Sequence, residues 1–197
     1  MKKSIIAAGA ASVALAAMPI VGAFAAANLS STETINATVG GGCTITGVGD
    51  TPGATTASTN IGDVAVNTVS DATAGKPIAI TCNSDNWKIT AVGAGENGLA
   101  TALSQSTTVS IPTGTNKLDG SASQWAFKVE SSNEFATISG DYGQWSEIPA
   151  SETTIATGTG TKSGTITPSY IVSVGASQAT GSYTGKVTYS VAVTNGS

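Results

Sequence analysis

The sequence predicts an all-β protein, an antiparallel sandwich, and three observations lead to that class. Short segments in which apolar and polar residues alternate recur along the chain, and clusters of Gly, Asn, Asp and Pro separate them. The composition is rich in Thr and Ser and includes 24 Gly, which favours strands and turns over helices. The chain has only two cysteines, Cys43 and Cys82, and an even count allows one disulfide to join two such segments.

The amino-terminal residues have the order of a secretory signal peptide. Lys2 and Lys3 precede an apolar run, and small residues follow up to Ala25. We therefore expect residues 1–25 to be removed and the mature protein to be secreted, at the cell surface or extracellular. An uncleaved membrane anchor is the alternative, because the run is long enough to span, although it is rich in Ala and Gly and interrupted by Pro19. After cleavage we expect no membrane span.

The next segment, residues 26–42, precedes the first cysteine and carries a partial alternation. Its apolar residues fall largely on odd positions and include Leu29, Ile35, Ala37 and Val39. The pattern predicts an amino-terminal strand in front of a sandwich domain over residues 43–197.

Five later segments show the alternation most clearly. The inward positions predicted from them are Ile78, Ile80 and Cys82; Trp87, Ile89 and Ala91; Trp125, Phe127 and Val129; Tyr170, Val172 and Val174; and Val187, Tyr189, Val191 and Val193. We expect the last two sets to be central in the core, and Trp87 and Trp125 to be buried.

Three connecting segments have other predicted structures. Asn97–Gln105 has apolar residues at helical spacing and predicts one or two helical turns. The stretch Thr157–Gly164 consists mainly of Gly and Thr and predicts a flexible loop. The residues Gly181–Gly185 have the composition of a turn, which predicts a hairpin-like connection between the last two strands.

The two cysteines are expected to form a disulfide, because thiols of exported chains meet an oxidising environment. The bond between Cys43 and Cys82 would close a loop of about 40 residues, which the chain-entropy model values at about 4 kcal/mol. A zinc site would need further ligands, and the chain has no His. We therefore expect no metal site and no cofactor.

The charges and the missing residue types exclude further functions. The chain has no Arg, only 10% charged residues and a net charge of -4, so nucleic acid is not an expected partner. Without His, neither Ser nor Cys has its usual base, and the Glu residues form no recognisable catalytic pair. We therefore expect a protein that is not an enzyme.

The best candidates for ligand binding are Tyr142 and Trp145. They lie in the polar, Gly-containing segment 141–146, where aromatic rings can remain accessible. Flat aromatic faces suit sugar rings, so cell-wall or host glycans are the expected ligands of such a pair.

Several motifs together resemble a known family. The runs Ile35–Val39, Cys43–Ile45 and Ile78–Cys82, and the closing run Ala179–Tyr189 with its Gly-Ser-Tyr-Thr turn, resemble the spore-coat-U-type, pilin-like domains of bacterial surface fibres. The resemblance implies an immunoglobulin-like or pilin-like sandwich in which a disulfide ties the first strand to the second.

Pilin-like domains lack a last strand and accept one from the amino-terminal extension of a neighbour. The resemblance therefore offers a second interpretation of residues 26–42, as a donor strand that presents Leu29, Ile35, Ala37 and Val39 to another subunit. The expected partners are then other copies of this chain or other surface subunits.

A weaker resemblance competes with the first. Trp87-Lys88-Ile89 is similar to the motif of bacterial WxL-type cell-wall surface domains, but Val187-Thr188-Tyr189 stands where their second motif is expected. Both families imply display at the surface without catalysis. The sequence thus predicts a structural or adhesive subunit of a coat or pilus-like fibre, and the alternative is a carbohydrate- or cell-wall-binding module.

Overall fold

The computed structural model describes residues 27–35, 42–95 and 99–194, and these residues form an almost purely β structure. Two 3-10 segments, Ser132–Glu134 and Gly140–Gly143, are the helical elements of the described residues. The strands are β1 (Ala27–Ile35), β2 (Cys43–Val48), β3 (Thr51–Pro52), β4 (Thr56–Val64), β5 (Thr68–Val69), β6 (Thr73–Ala74), β7 (Ile78–Gly93), β8 (Leu103–Ser104), β9 (Ser110–Ile111), β10 (Gln124–Ser131), β11 (Thr137–Ile138), β12 (Thr153–Val174) and β13 (Ser182–Val193).

The six long strands follow one another in the order β10-β12-β7-β13-β1-β4. Along one side β7 pairs with β12, and along the other it pairs first with β2 and then with β13. The pairing of β1 with β13 is parallel, whereas the other pairings of these strands are antiparallel. Apolar side chains of β7, β10, β12 and β13 form one buried core. The predicted all-β, sandwich-like class is confirmed.

Strand β7 joins two of the predicted segments through a bulge at Asp85. Ser84 pairs with Gly160 and Asn86 pairs with Thr159, so Asp85 is an extra residue in the ladder. Side chains alternate between faces along a strand, and the extra residue shifts that alternation by one position. Cys82 and Trp87, one even and one odd in number, are therefore both buried.

The stretch Thr157–Gly164 is the middle of β12, so the prediction of a flexible loop is wrong. A Cβ atom at Gly158 would overlap the indole ring of Trp87, and one at Gly164 would overlap the phenyl ring of Phe135. Those two rings stack with centroids 4.8 Å apart. The glycines leave room for the ring pair, while pairing with β7 supplies the backbone partners that hold the strand.

Trp87 and Trp125 lie in the core, as predicted from the alternation, with 1% and 0% of their surfaces exposed. The Trp125 indole N–H donates a hydrogen bond to the carbonyl of Thr101 at 2.8 Å, and the ring stacks on Tyr170 with centroids 6.1 Å apart. The buried indole nitrogen therefore has the partner that burial requires. The other predicted inward positions are buried too, except Val193, which is half-buried.

The connection before β13 is not a hairpin, because β7 lies between β12 and β13 in the strand order. Tyr183 instead anchors the crossing: its hydroxyl donates to the carbonyl of Ala179 at 2.6 Å and lies 2.6 Å from Nε2 of Gln178. A tyrosine at the start of a strand that bonds back to the preceding backbone is the tyrosine corner of sandwich folds. The residues Gly181–Gly185 therefore lie at the end of a connection that passes from one side of β7 to the other, and not in a tight hairpin.

The predicted helix over Asn97–Gln105 is also wrong for its described part, residues 99–105. A turn there leads into β8, and Leu103 is completely buried. Leu103 pairs with Ile111 of β9, and Ser104 with Thr184 of β13. Strand pairing and burial of Leu103 outweigh the weak helical spacing of so short a segment.

The predicted disulfide between Cys43 and Cys82 is confirmed. The two residues are direct partners in the ladder of β2 and β7, and both are buried. The bond therefore ties the first residue of β2 to the fifth residue of β7, a central strand of 16 residues.

Candidate binding cleft and amino-terminal strand

A surface cleft of about 390 Å³ contains both predicted binding residues. Its lining consists of Thr115, Asp141, Tyr142, Trp145, Ser146 and Glu147. Five of these residues belong to the segment that contains the second 3-10 turn, and Thr115 comes from the connection between β9 and β10.

Strand β10 holds this segment in place through Phe127. Backbone hydrogen bonds run from the Phe127 amide to the Ser146 carbonyl at 3.1 Å and from the Ser146 amide to the Phe127 carbonyl at 2.8 Å. The ring of Tyr142 packs against the buried ring of Phe127, with centroids 5.6 Å apart. The Ser146 hydroxyl also donates to the carbonyl of Asp141 at 2.8 Å. These contacts therefore attach the segment that forms most of the cleft to strand β10.

Trp145 is half-buried, and a cation lies over its ring. Nζ of Lys128 is 5.5 Å from the ring centroid, and the same nitrogen forms an ion pair with Glu130 at 2.8 Å. A cation over an exposed indole contributes about 0.5–1 kcal/mol. Lys128 and Glu130 thus orient the ring from the neighbouring strand without lining the cleft themselves.

The electrostatic character of the cleft is set by two carboxylates. The side chains of Asp141 and Glu147 are exposed, and neither has an ion-pair or hydrogen-bond partner among the residues that the structure describes. The lining includes no cationic side chain. The cleft therefore combines two aromatic rings with two hydrogen-bond acceptors that carry negative charge.

The structure brings together more residues than the sequence pattern indicates. Tyr142 and Trp145 lie in one cleft, whereas Glu147 follows the polar segment directly and Thr115 is distant in sequence. Proximity to Trp145 is the only signal in the sequence for Glu147, and none points to Thr115. Ligand binding by Tyr142 and Trp145 stays a prediction. In the described part of the chain, no three residues of the types that usually bind metals come together as a candidate site.

The amino-terminal strand is the second candidate functional element. Strand β1 lies between β13, to which it is parallel, and β4, to which it is antiparallel. Ile35 is the register partner of Tyr189, and Leu29 is the partner of Tyr183 and of Gly62. A bulge in β4 skips Ile61, so this partner strand has its own irregularity next to Leu29.

Residues 27–35 therefore form a strand in the sheet of their own chain, and whether another copy uses the same strand stays a prediction. Of the predicted donor residues, Leu29 and Ile35 belong to β1, whereas Ala37 and Val39 lie outside the described residues. The predicted signal peptide, residues 1–25, lies outside them as well.

The fold and the disulfide define a disulfide-bonded, sandwich-like all-β protein. Comparison with models of protein families gives no match for this chain, and comparison with curated proteins gives none either. No helix within residues 27–35, 42–95 and 99–194 has the length and hydrophobicity that a membrane crossing requires.

Proposed function

We propose that this protein is a secreted, non-catalytic surface protein, a structural or adhesive subunit of a coat or pilus-like fibre. The observation that carries the proposal is the placement of β1. In the order of the sheet, β1 lies between β13 and β4 and pairs with both, so it is the strand that joins them. The disulfide between Cys43 and Cys82 supports an oxidising compartment.

A strand in this position can be replaced by the same strand of another copy. Residues 28–35 pair with β13 and residues 27–34 pair with β4. Without β1, both neighbours would present unpaired backbone N–H and C=O groups toward one another, and such edges recruit further strands. Because the strand leads to Cys43 through residues 36–42, exchange would connect two domains and leave the disulfide in place.

Cross-strand cysteines test the exchange directly. One variant carries Thr32→Cys and a second carries Lys186→Cys, because these residues are register partners of β1 and β13. If strands exchange, oxidation of the mixed variants gives a disulfide-linked dimer that non-reducing electrophoresis detects. Thr32→Cys mixed with Thr184→Cys, which is two positions out of register, is the matched control. Equal cross-linking in both mixtures, or none in either, would contradict exchange.

Deletion with peptide rescue is an independent test. A mature chain without residues 26–35 should gain thermal stability by mass action as a peptide of residues 26–39 is added. The same peptide with Ile35→Asp should give no gain, because it replaces an apolar residue by a charged one at the position paired with Tyr189 of β13. A melting temperature that is unchanged at every peptide concentration would leave β1 as the ordinary first strand of its own domain.

The second candidate function is a carbohydrate- or cell-wall-binding module, and the meeting of Tyr142 and Trp145 in one cleft favours it. Retention on peptidoglycan and glycan arrays should disappear in the double variant Tyr142→Ala, Trp145→Ala. The matched control is Gln144→Ala, an exposed residue of the same segment that does not line the cleft. Retention that survives the double variant would remove the cleft from this role.

A further inference from the structure

The polar groups of the aromatic cleft restrict the chemistry of its ligand. Its charged side chains are the carboxylates of Asp141 and Glu147, and its hydroxyls belong to Thr115, Ser146 and Tyr142. Ionised carboxylates only accept hydrogen bonds, and hydroxyls can accept or donate. The lining therefore favours a ligand that carries many donors and opposes one that carries negative charge.

The two carboxylates are available to such a ligand. In the described residues neither the carboxylate of Asp141 nor that of Glu147 forms an ion pair or a hydrogen bond, and both residues are exposed. Lys128, the cation over the Trp145 ring, forms an ion pair with Glu130 at 2.8 Å. The chain has no Arg and a net charge of -4, so the cleft and the protein as a whole are both acidic.

The aromatic rings of the cleft are compatible with an ammonium group. Nζ of Lys128 lies 5.5 Å from the centroid of the Trp145 ring, which is the geometry of a cation–π contact. Tyr142 lines the same cleft as Trp145, and its ring packs on that of Phe127. The cleft volume of about 390 Å³ is in the range of small-molecule sites, roughly 300–1,000 Å³.

We propose that this cleft binds an amino sugar with a free ammonium group, within an oligosaccharide of such units. The sugar ring stacks on Trp145 and Tyr142, and the ammonium group donates hydrogen bonds to Asp141 and Glu147. This inference rests on the second candidate function, glycan binding at the same cleft. An N-acetylated sugar lacks the positive charge, and a uronic acid carries a negative one. Both kinds of sugar should therefore bind more weakly than the amino sugar.

Titration of the full mature protein with defined oligosaccharides, followed by tryptophan fluorescence and calorimetry, tests the inference. The probes are a glucosamine oligomer, its N-acetylated counterpart, a galacturonic acid oligomer and an oligolysine of equal charge. We expect the glucosamine oligomer to bind about tenfold more tightly than the N-acetylated one. A hydrogen bond to a charged group contributes enough free energy to change an affinity by about this factor. Added salt should weaken this preference by screening.

Isosteric variants separate the charge of the cleft from its shape. Asp141→Asn and Glu147→Gln should each weaken binding of the glucosamine oligomer more than binding of the N-acetylated oligomer, so the preference between the two becomes smaller. Asp71→Asn makes the same charge change at an exposed residue that does not line the cleft, and it should have no effect.

The other outcomes distinguish the two proposals. Equal binding of both glucosamine oligomers, lost in Trp145→Ala but unaffected by Asp141→Asn and Glu147→Gln, would overturn the amino-sugar assignment and leave glycan binding in place. Equal binding of oligolysine would show simple charge attraction and overturn the assignment to a sugar. Binding of none of the oligosaccharides would overturn both the amino-sugar assignment and glycan binding at this cleft.

Discussion

The hydroxyl oxygens of Tyr170 and Tyr189 lie 3.0 Å apart, and neither side chain is exposed to solvent. Tyr170 belongs to β12 and Tyr189 to β13, which β7 separates in the strand order. The contact therefore joins, through the core, two strands that are not neighbours. A hydrogen bond between buried hydroxyls gives the packing a directional component that apolar contacts lack.

Removing either hydroxyl of this pair should destabilise the fold. We expect Tyr170→Phe and Tyr189→Phe each to lower the free energy of unfolding by about 1–3 kcal/mol, because the remaining buried hydroxyl loses a partner. The double variant should lose less than the sum of the two, and urea unfolding of all four chains measures this coupling. Strictly additive losses would show that the two hydroxyls act independently.

The glycine at 158 should be needed for the packing of Trp87. We expect Gly158→Ala to lower the free energy of unfolding by about 1–3 kcal/mol, because its Cβ would overlap the indole ring and displace a core side chain. Chemical unfolding monitored by tryptophan fluorescence measures the loss. Thr157→Ala, at the exposed neighbouring position, is the matched control and should have a much smaller effect. Equal stability of the two variants would contradict the steric role of Gly158.

Loss of the disulfide should destabilise the fold, because the bond closes a long loop. Cys43 and Cys82 are 39 residues apart in sequence. Reduction, or the double variant Cys43→Ala, Cys82→Ala, should lower the free energy of unfolding by about 4 kcal/mol in the chain-entropy model. Mass spectrometry of the protein, purified without reductant, should find the pair oxidised. Two free thiols in the protein purified in this way would contradict the bond.

The pKa of Asp119 should depend on Ser121. The Ser121 hydroxyl and its backbone amide, which donates to Oδ1 of Asp119 at 2.8 Å, lower the pKa of this exposed carboxyl below its ordinary value of 3.8. A group with a lowered folded-state pKa stabilises the fold fully above its unfolded-state pKa, about 4 for Asp, and this contribution disappears as pH falls through the folded-state pKa. We expect Ser121→Ala to raise the pKa measured by NMR titration. An identical pKa in both chains would contradict this origin.

The alternation of residues was sufficient to predict the class of fold and much of its core. In β10, Trp125, Phe127 and Val129 are buried as expected, because side chains of a strand alternate between faces whatever its partners are. The same local rule predicted the burial of Tyr170 and Tyr189. The pairing of the two cysteines could likewise be predicted without knowledge of the fold, and the disulfide is present.

The polar segment around Tyr142 was recognisable as a place where aromatic rings can remain accessible, because Gly and polar residues favour surface loops. Its partners were not. Thr115 reaches the cleft from the connection between β9 and β10, and the pairing of Ser146 with Phe127 sets the segment against β10. Such contacts join residues that are distant in sequence, so no local pattern contains them.

Only the tertiary structure decided which segments pair. Thr157–Gly164 has the composition of a loop, yet it is a strand because β7 supplies its backbone partners and Trp87 needs the space above Gly158. The crossing before Tyr183 and the position of β1 between β13 and β4 are likewise properties of pairing. The sequence by itself determined which side chains prefer the interior, since that preference is local and depends on hydrophobicity. The choice of hydrogen-bonding neighbours depends on the whole folded chain, since the backbone groups available for pairing are nearly the same in every residue.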